Sequence, residues 1–225
     1  MKPTLGEQAY QQIRRMIVNL DYAPGDVLRE QAIQVGIGIG RTPVREALQR
    51  LAREHFITVI PRRGMFVSGI DVSELSILFE TRTVLEPYAA RLAAARGTSD
   101  HWDAMSDALG QIGTGSLSSS SSGVPVSDLM AVDRSCHEIM WQAAGNRFLI
   151  DTLDTLYAQS DRLWHLYLAD VAYMDEAIQE HHAILGALRD ADSDTVATLM
   201  EAHVRSFDEQ IRNAVTEKLD PPLAG

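Results

Sequence analysis

Apolar positions recur along this chain with two different periods, and the change of period marks its parts. From Tyr10 to Leu20 they fall at Ile13, Met16, Ile17 and Leu20, the three-and-four spacing of a helix with one buried face. Pro24-Gly25 keeps that helix from continuing. Leu28 to Val35 reads as a second, shorter helix, followed by the glycine-rich turn Gly36-Ile37-Gly38-Ile39-Gly40. Thr42-Pro43, a capping residue with proline at the first helical position, predicts the start of a third helix that carries Val44, Ala47, Leu48 and Leu51 on one face. Phe56 to Ile60 and Met65 to Val67 are short β-branched or aromatic runs around Pro61-Arg62-Arg63-Gly64, the signature of a hairpin.

Beyond Val72 the period is helical throughout. Helices are predicted over Ser73 to Ala95, Ser99 to Ile112, Ser127 to Ala144, Arg147 to Ala169, Met174 to Asp190 and Ser193 to Lys218. A Gly/Ser-rich stretch at about 113–126 cannot bury a core and is expected to be a mobile loop. The fold class is therefore mainly α: an N-terminal winged helix-turn-helix over 1–70 and a C-terminal all-α helical bundle over 71–225.

Composition adds bounds. The chain has 225 residues, 45% hydrophobic and 23% charged, which excludes collagen-like, disordered and disulfide-scaffold classes. A single cysteine, Cys136, cannot form an internal disulfide, so a reducing compartment is expected, with the thiol a small core residue. No apolar run is long enough to span a bilayer, and the start lacks the apolar stretch of a secretory signal; a cytoplasmic protein with no membrane partner is expected.

The net charge of −11 conceals an asymmetry. Residues 1–70 carry ten Lys and Arg against six acids, a net +4, and residues 71–225 carry the other ten against 25, a net −15. A basic module joined to an acidic one points to double-stranded DNA as partner of the first. Two helices joined by a tight turn, the second with arginines near its start, suit the major groove. The doubly basic hairpin tip suits phosphates or the minor groove.

The run Gly38-Ile39-Gly40-Arg41-Thr42-Pro43-Val44-Arg45-Glu46-Ala47-Leu48-Gln49-Arg50-Leu51 resembles the winged-helix signature of the GntR family of bacterial transcription regulators. The resemblance implies that Arg41, Thr42 and Arg45 contact the operator, with Arg63 and Gly64 of the wing assisting. Gly40 stands where relatives have Ser or Thr, and Gln31 where some place a DNA-contacting Arg.

In the acidic part, four polar residues lie on apolar helix faces. Asp133 and His137 are one turn apart among Leu129, Met130, Met140 and Trp141; His181 shares a stripe with Ile178, Ile184, Leu185 and Leu188; His203 shares one with Val196, Leu199, Met200 and Phe207. Buried without partners, each would cost ~1–3 kcal/mol. Two explanations stand: hydrogen-bonded core histidines, or a divalent metal, for which imidazoles and a carboxylate are standard ligands. Arg82 interrupts the stripe Leu75, Leu78, Phe79, Leu85, Ala89, either as an ion pair with Glu86 or as a guanidinium for an effector carboxylate. His182, about 100° from His181 around its helix, should face away.

The runs Asp133-Arg134-Ser135-Cys136-His137, Gly145-Asn146, Glu180-His181-His182-Ala183-Ile184-Leu185 and Ala202-His203 resemble the FCD ligand-binding domain of the FadR-type GntR subfamily. The resemblance implies metal ligation by Asp133, His137, His181 and His203 and a small organic acid completing the shell. Zinc (Zn2+) is the first expectation, with nickel, manganese and iron as alternatives. The function implied is a homodimeric regulator, a repressor by family precedent, whose operator affinity follows the effector. It is expected neither to be an enzyme nor to carry catalytic residues; the alternatives are a metal-dependent hydrolase fused to a DNA-binding module and a constitutive DNA binder with a structural metal. Neither H-E-x-x-H nor G-x-S-x-G occurs to support a hydrolase.

Overall fold

The computed structural model describes residues 3–69, 72–112, 125–167 and 174–219. The chain divides into two compact units, Met1–Glu74 with Ala158–Leu166, and Leu75–Tyr157 with Tyr167–Gly225. Among the described residues are nine helices and one three-stranded sheet, so the mainly α architecture is observed.

The first unit begins with α1 (Leu5–Val18), whose first turn is closed by Thr4, its hydroxyl accepting from Glu7 N at 3.2 Å. The helix thus starts five residues before the predicted span, which begins at Tyr10, because a cap rather than the apolar stripe sets its beginning. Next come β1 (Val27–Leu28), α2 (Glu30–Ile37), α3 (Arg41–Arg53), β2 (Ile57–Ile60) and β3 (Gly64–Val67). The sheet order is β1-β3-β2, all antiparallel, with Val59 opposite Met65 and Leu28 opposite Met65 on the other edge. Tyr10, Ile13, Ile17, Ile33, Leu48, Leu51 and Phe56 fill one core, which Ala158 joins.

Three local expectations change. Leu28, read as helical, pairs in β1, since backbone groups beside β3 find ladder partners there. The second helix then runs two residues further, through Gly36 to Ile37. The turn shrinks to Gly38–Gly40, with Gly38 in the left-handed region at φ 68°, where a residue without Cβ meets no penalty. Finally, α3 starts at Arg41 with Gly40 as its cap, two residues before the start expected at Pro43 with Thr42 as cap; Pro43 is the third helical residue, still within the first turn, where a missing N–H costs no helical bond.

The second unit is built from α4 (Val72–Arg96), α5 (Ser99–Gly110), α6 (Val126–Ala144), α7 (Arg147–Tyr167), α8 (Met174–Arg189) and α9 (Ser193–Leu219). Residues 158–166 of α7 count with the first unit, where Gln159 Nε2 donates to the Glu54 carbonyl at 3.0 Å. The six helices lie within a few residues of the predicted spans. Most of the expected Gly/Ser loop, 113–124, lies outside the described residues. The buried faces of α6, α8 and α9 contribute Met140, Trp141, Ile178, Ile184, Met200 and Val204 to the second core. Cys136 is fully buried in α6, as expected of a core thiol.

Candidate metal centre and DNA-reading surface

In the first unit, the first turn of α3 presents Arg41 and Thr42 to solvent, with Arg45 one turn on. The Arg41 side chain is 70% exposed and that of Arg45 48%, so both can reach a ligand. Arg45 is held meanwhile by Glu30 of α2, donating Nε–H to Oε1 at 3.1 Å and Nη2–H to Oε2 at 3.2 Å. At the β2–β3 turn Arg62 and Gly64 have positive φ, 65° and 112°, and no atom lies within 4 Å of where a Cβ on Gly64 would stand. Arg63 and Gly64 are exposed there, so backbone can come close to a partner.

In the second unit, α6, α8 and α9 bring Asp133, His137, His181 and His203 together. One donor atom from each lies within 4.8 Å of all the others, and all four residues are buried. The spacings are those of donors around a common centre: His181 Nε2 to Asp133 Oδ1 2.8 Å, His137 Nε2 to His203 Nε2 3.1 Å, His203 Nε2 to Asp133 Oδ1 3.6 Å, and His137 Nε2 to Asp133 Oδ2 3.9 Å. Three imidazoles and one carboxylate buried together are compatible with a divalent metal site. His182 is exposed, as its helical phase requires.

The electrostatics favour the ligating forms of Asp133 and His181. Burial opposes ionisation of Asp133, but hydrogen bonding from His181 and the surrounding imidazoles outweigh it and hold the carboxyl well below the usual range. Burial likewise depresses His181, to about 4, with His203 adding to the effect, so its ring is neutral. Tyr157 donates its hydroxyl to Asp133 Oδ2 at 2.5 Å, while Oδ1 faces His181 Nε2 at 2.8 Å. His181 Nδ1 is buried with no partner among the described residues.

Sequence reasoning missed the groups behind these donors. Glu86 of α4, fully buried, accepts from His137 Nδ1 at 3.2 Å, Trp141 Nε1 at 2.8 Å and Arg82 Nη2 at 2.8 Å. Burial would raise its pKa, but His137, Arg82 and the hydrogen bonds bring it down to about 2. Glu180 of α8 accepts from His203 Nδ1 at 2.7 Å. The only available sign of Glu86 was its i,i+4 spacing from Arg82; nothing in the pattern tied either acid to a histidine on another helix. Arg82 is itself buried and engaged by Glu86, the ion pair weighed as one explanation for it.

Two family models match the chain. Residues 5–67 match "Bacterial regulatory proteins, gntR family" and residues 77–206 match the FCD domain. The chain is 28% identical over 222 residues to the HTH-type transcriptional repressor RspR of Escherichia coli K12, covering 98% of this chain and 95% of that one. It is also 28% identical over 207 residues to the Nta operon transcriptional regulator of Aminobacter aminovorans, covering 90% and 94%. The fold matches the solved structure of E. coli McbR/YncC with a TM-score of 0.80 at 19% identity, covering 94% of this chain and 99% of that one. No described helix is long and apolar enough to cross a membrane. With a helix-turn-helix of one family and an FCD domain over more than half its length, the chain belongs to the GntR family of bacterial transcription regulators, in the branch that carries an FCD domain.

Proposed function

We propose that this regulator is a homodimeric repressor whose operator affinity is set by a small organic acid bound at a divalent metal in its acidic helical domain. Residues 1–70 form the DNA-binding domain in this reading, with Arg41, Thr42 and Arg45 on the major groove and Arg63 and Gly64 on the adjoining backbone or minor groove. Residues 71–225 form the sensor, with Asp133, His137, His181 and His203 as ligands to zinc, or to nickel, manganese or iron. Arg82 takes an effector carboxylate, which must share or displace Glu86. The dimer places two recognition helices on the half-sites of a pseudopalindrome. An effector releases DNA only by binding the two arrangements of the dimer unequally.

The observation that carries the metal reading is the approach of His137 Nε2 to His203 Nε2 at 3.1 Å while each ring's Nδ1 faces a carboxylate. Two Nε2 lone pairs so oriented repel, and a cation between them removes the repulsion.

A thermal-shift screen of metal-replete protein against mono-, di- and tricarboxylates and sugar acids tests the proposal, with Asp133→Ala and Arg82→Ala as controls. A ligand at 100 times its dissociation constant adds ~2.7 kcal/mol. At this chain length that is a rise of roughly 2–4 °C for each kcal/mol. The expected hit is an acid whose shift disappears in both variants and which lowers operator affinity. A metal-loaded protein indifferent to every acid would leave the ion structural and remove the sensor reading.

A further inference from the structure

A neutral imidazole carries one N–H, and which nitrogen holds it is decided by what the other ring atom faces. His137 turns Nδ1 to Glu86 Oε2 at 3.2 Å, and His203 turns Nδ1 to Glu180 Oε2 at 2.7 Å. A carboxylate only accepts, so each Nδ1 must donate and each Nε2 must keep its lone pair. The opposite arrangement, with one ring donating Nε2–H to the other, would set that ring's Nδ1 lone pair against a carboxylate.

We propose that Glu86 and Glu180 are positioning residues: they lock His137 and His203 in the Nδ1–H tautomer and so turn both Nε2 lone pairs toward one cation. The proposal rests on the metal reading above for its cation but not for its tautomers. Glu86 is suited to the task because Arg82 and Trp141 fix its carboxylate, through Arg82 Nη2 at 2.8 Å and Trp141 Nε1 at 2.8 Å. Glu180 belongs to the same helix as the ligand His181, one residue before it, so α8 supplies a ligand and the orienting group of a ligand on α9. His181 is a built-in contrast. Its Nε2 lies 2.8 Å from Asp133 Oδ1 and its Nδ1 has no partner among the described residues, so without an ion it should be the Nε2–H tautomer.

Nitrogen NMR of the metal-free full chain, recorded well above the ordinary imidazole pKa of about 6.5, reads the tautomers directly. Expected are Nδ1–H for His137 and His203 and Nε2–H for His181. In Glu180→Ala, His203 should lose its Nδ1–H preference, and affinity for zinc or nickel, measured against a chelating indicator, should fall ~10–100-fold. Glu180→Gln, which retains a carbonyl acceptor, should fall between. Because Glu86→Gln weakens the hold on buried Arg82 and can fail to fold, Glu180, whose side chain is 36% exposed, carries the test. Nε2–H at His203 in the unaltered protein, or a folded Glu180→Ala with unaltered tautomer and affinity, overturns the proposal. A chain with the expected tautomers that takes up no ion leaves the lock standing and removes the metal reading; a chain that binds zinc with Nε2–H at His203 does the reverse.

Discussion

Arg45 and Glu30 form a two-pronged ion pair across α3 and α2, with both nitrogen-to-oxygen distances between 3.1 and 3.2 Å. A guanidinium uses the same fork to read the O6 and N7 edge of guanine. A solvent-exposed pair is worth ~0–1 kcal/mol, against ~1–3 kcal/mol for a bidentate base contact. In the proposed DNA complex, exchange of Glu30 for a base would therefore be downhill. Arg45→Ala is expected to weaken binding to a selected operator by ~1–3 kcal/mol and to relax preference at one base pair. Anisotropy titrations on the operator and its single-base variants measure both effects, and unchanged affinity would remove Arg45 from the readout.

Arg63, exposed at the wing, should behave differently. A phosphate contact carries no base information, so Arg63→Ala is expected to weaken all sequences alike and to reduce the salt slope of binding by about 1. The same titrations repeated over a salt series distinguish it from Arg45; a sequence-selective loss would assign the wing arginine to a base instead.

Arg82 and Glu86 are 3% and 0% exposed, at 2.8 Å, so removing Arg82 leaves the buried Glu86 carboxylate without its guanidinium, held among the described residues only by His137 and Trp141. Arg82→Ala should cost ~3–5 kcal/mol of unfolding free energy in metal-free, effector-free protein, measured by urea denaturation. A loss within ~0.5 kcal/mol would mean that Arg82 contributes little to the fold and serves a ligand alone.

Tyr10 donates its hydroxyl to Glu54 at 2.7 Å beneath Arg50, whose guanidinium carbon stands 3.5 Å from the ring centre. Burial, helped by Glu54 and opposed by Arg14 and Arg50, raises the phenol above its ordinary value of 10. The folded chain thus keeps a proton that the unfolded chain releases. The stability this contributes is whole below pH ~10 and declines as pH rises toward the folded-state value. Tyr10→Phe should flatten the alkaline part of the stability profile, as read by denaturation at a series of alkaline pH values.

Cys136 is fully buried, and burial together with the nearby Asp133 charge raises its thiol above the ordinary range. A thiol reagent at neutral pH should label the native protein only at the rate of opening, and stoichiometrically in denaturant. Rapid labelling of native protein would contradict the packing of α6.

The helices of the second unit could be read from the chain because each buries one apolar face, and a face leaves a period of 3.6 in the sequence. Asp133, His137, His181 and His203 stood out for the same reason, as polar residues in phase with apolar neighbours. Glu86 and Glu180 did not: an acid in a helix is ordinary, and only the packing of α4 on α6 and of α8 on α9 makes these two face imidazoles. Arg82 showed as a cation in an apolar stripe, yet its present partner was one of two choices until its burial against Glu86 was seen. The small sheet shows the same limit, since β1 has two residues and no period, and it exists because β3 offers it an edge. Local physics, periodicity and capping, determined the elements and nominated the ligands. Which side chain orients which donor was decided only when distant helices met, because a hydrogen bond between them depends on approach in space and leaves no spacing in the chain.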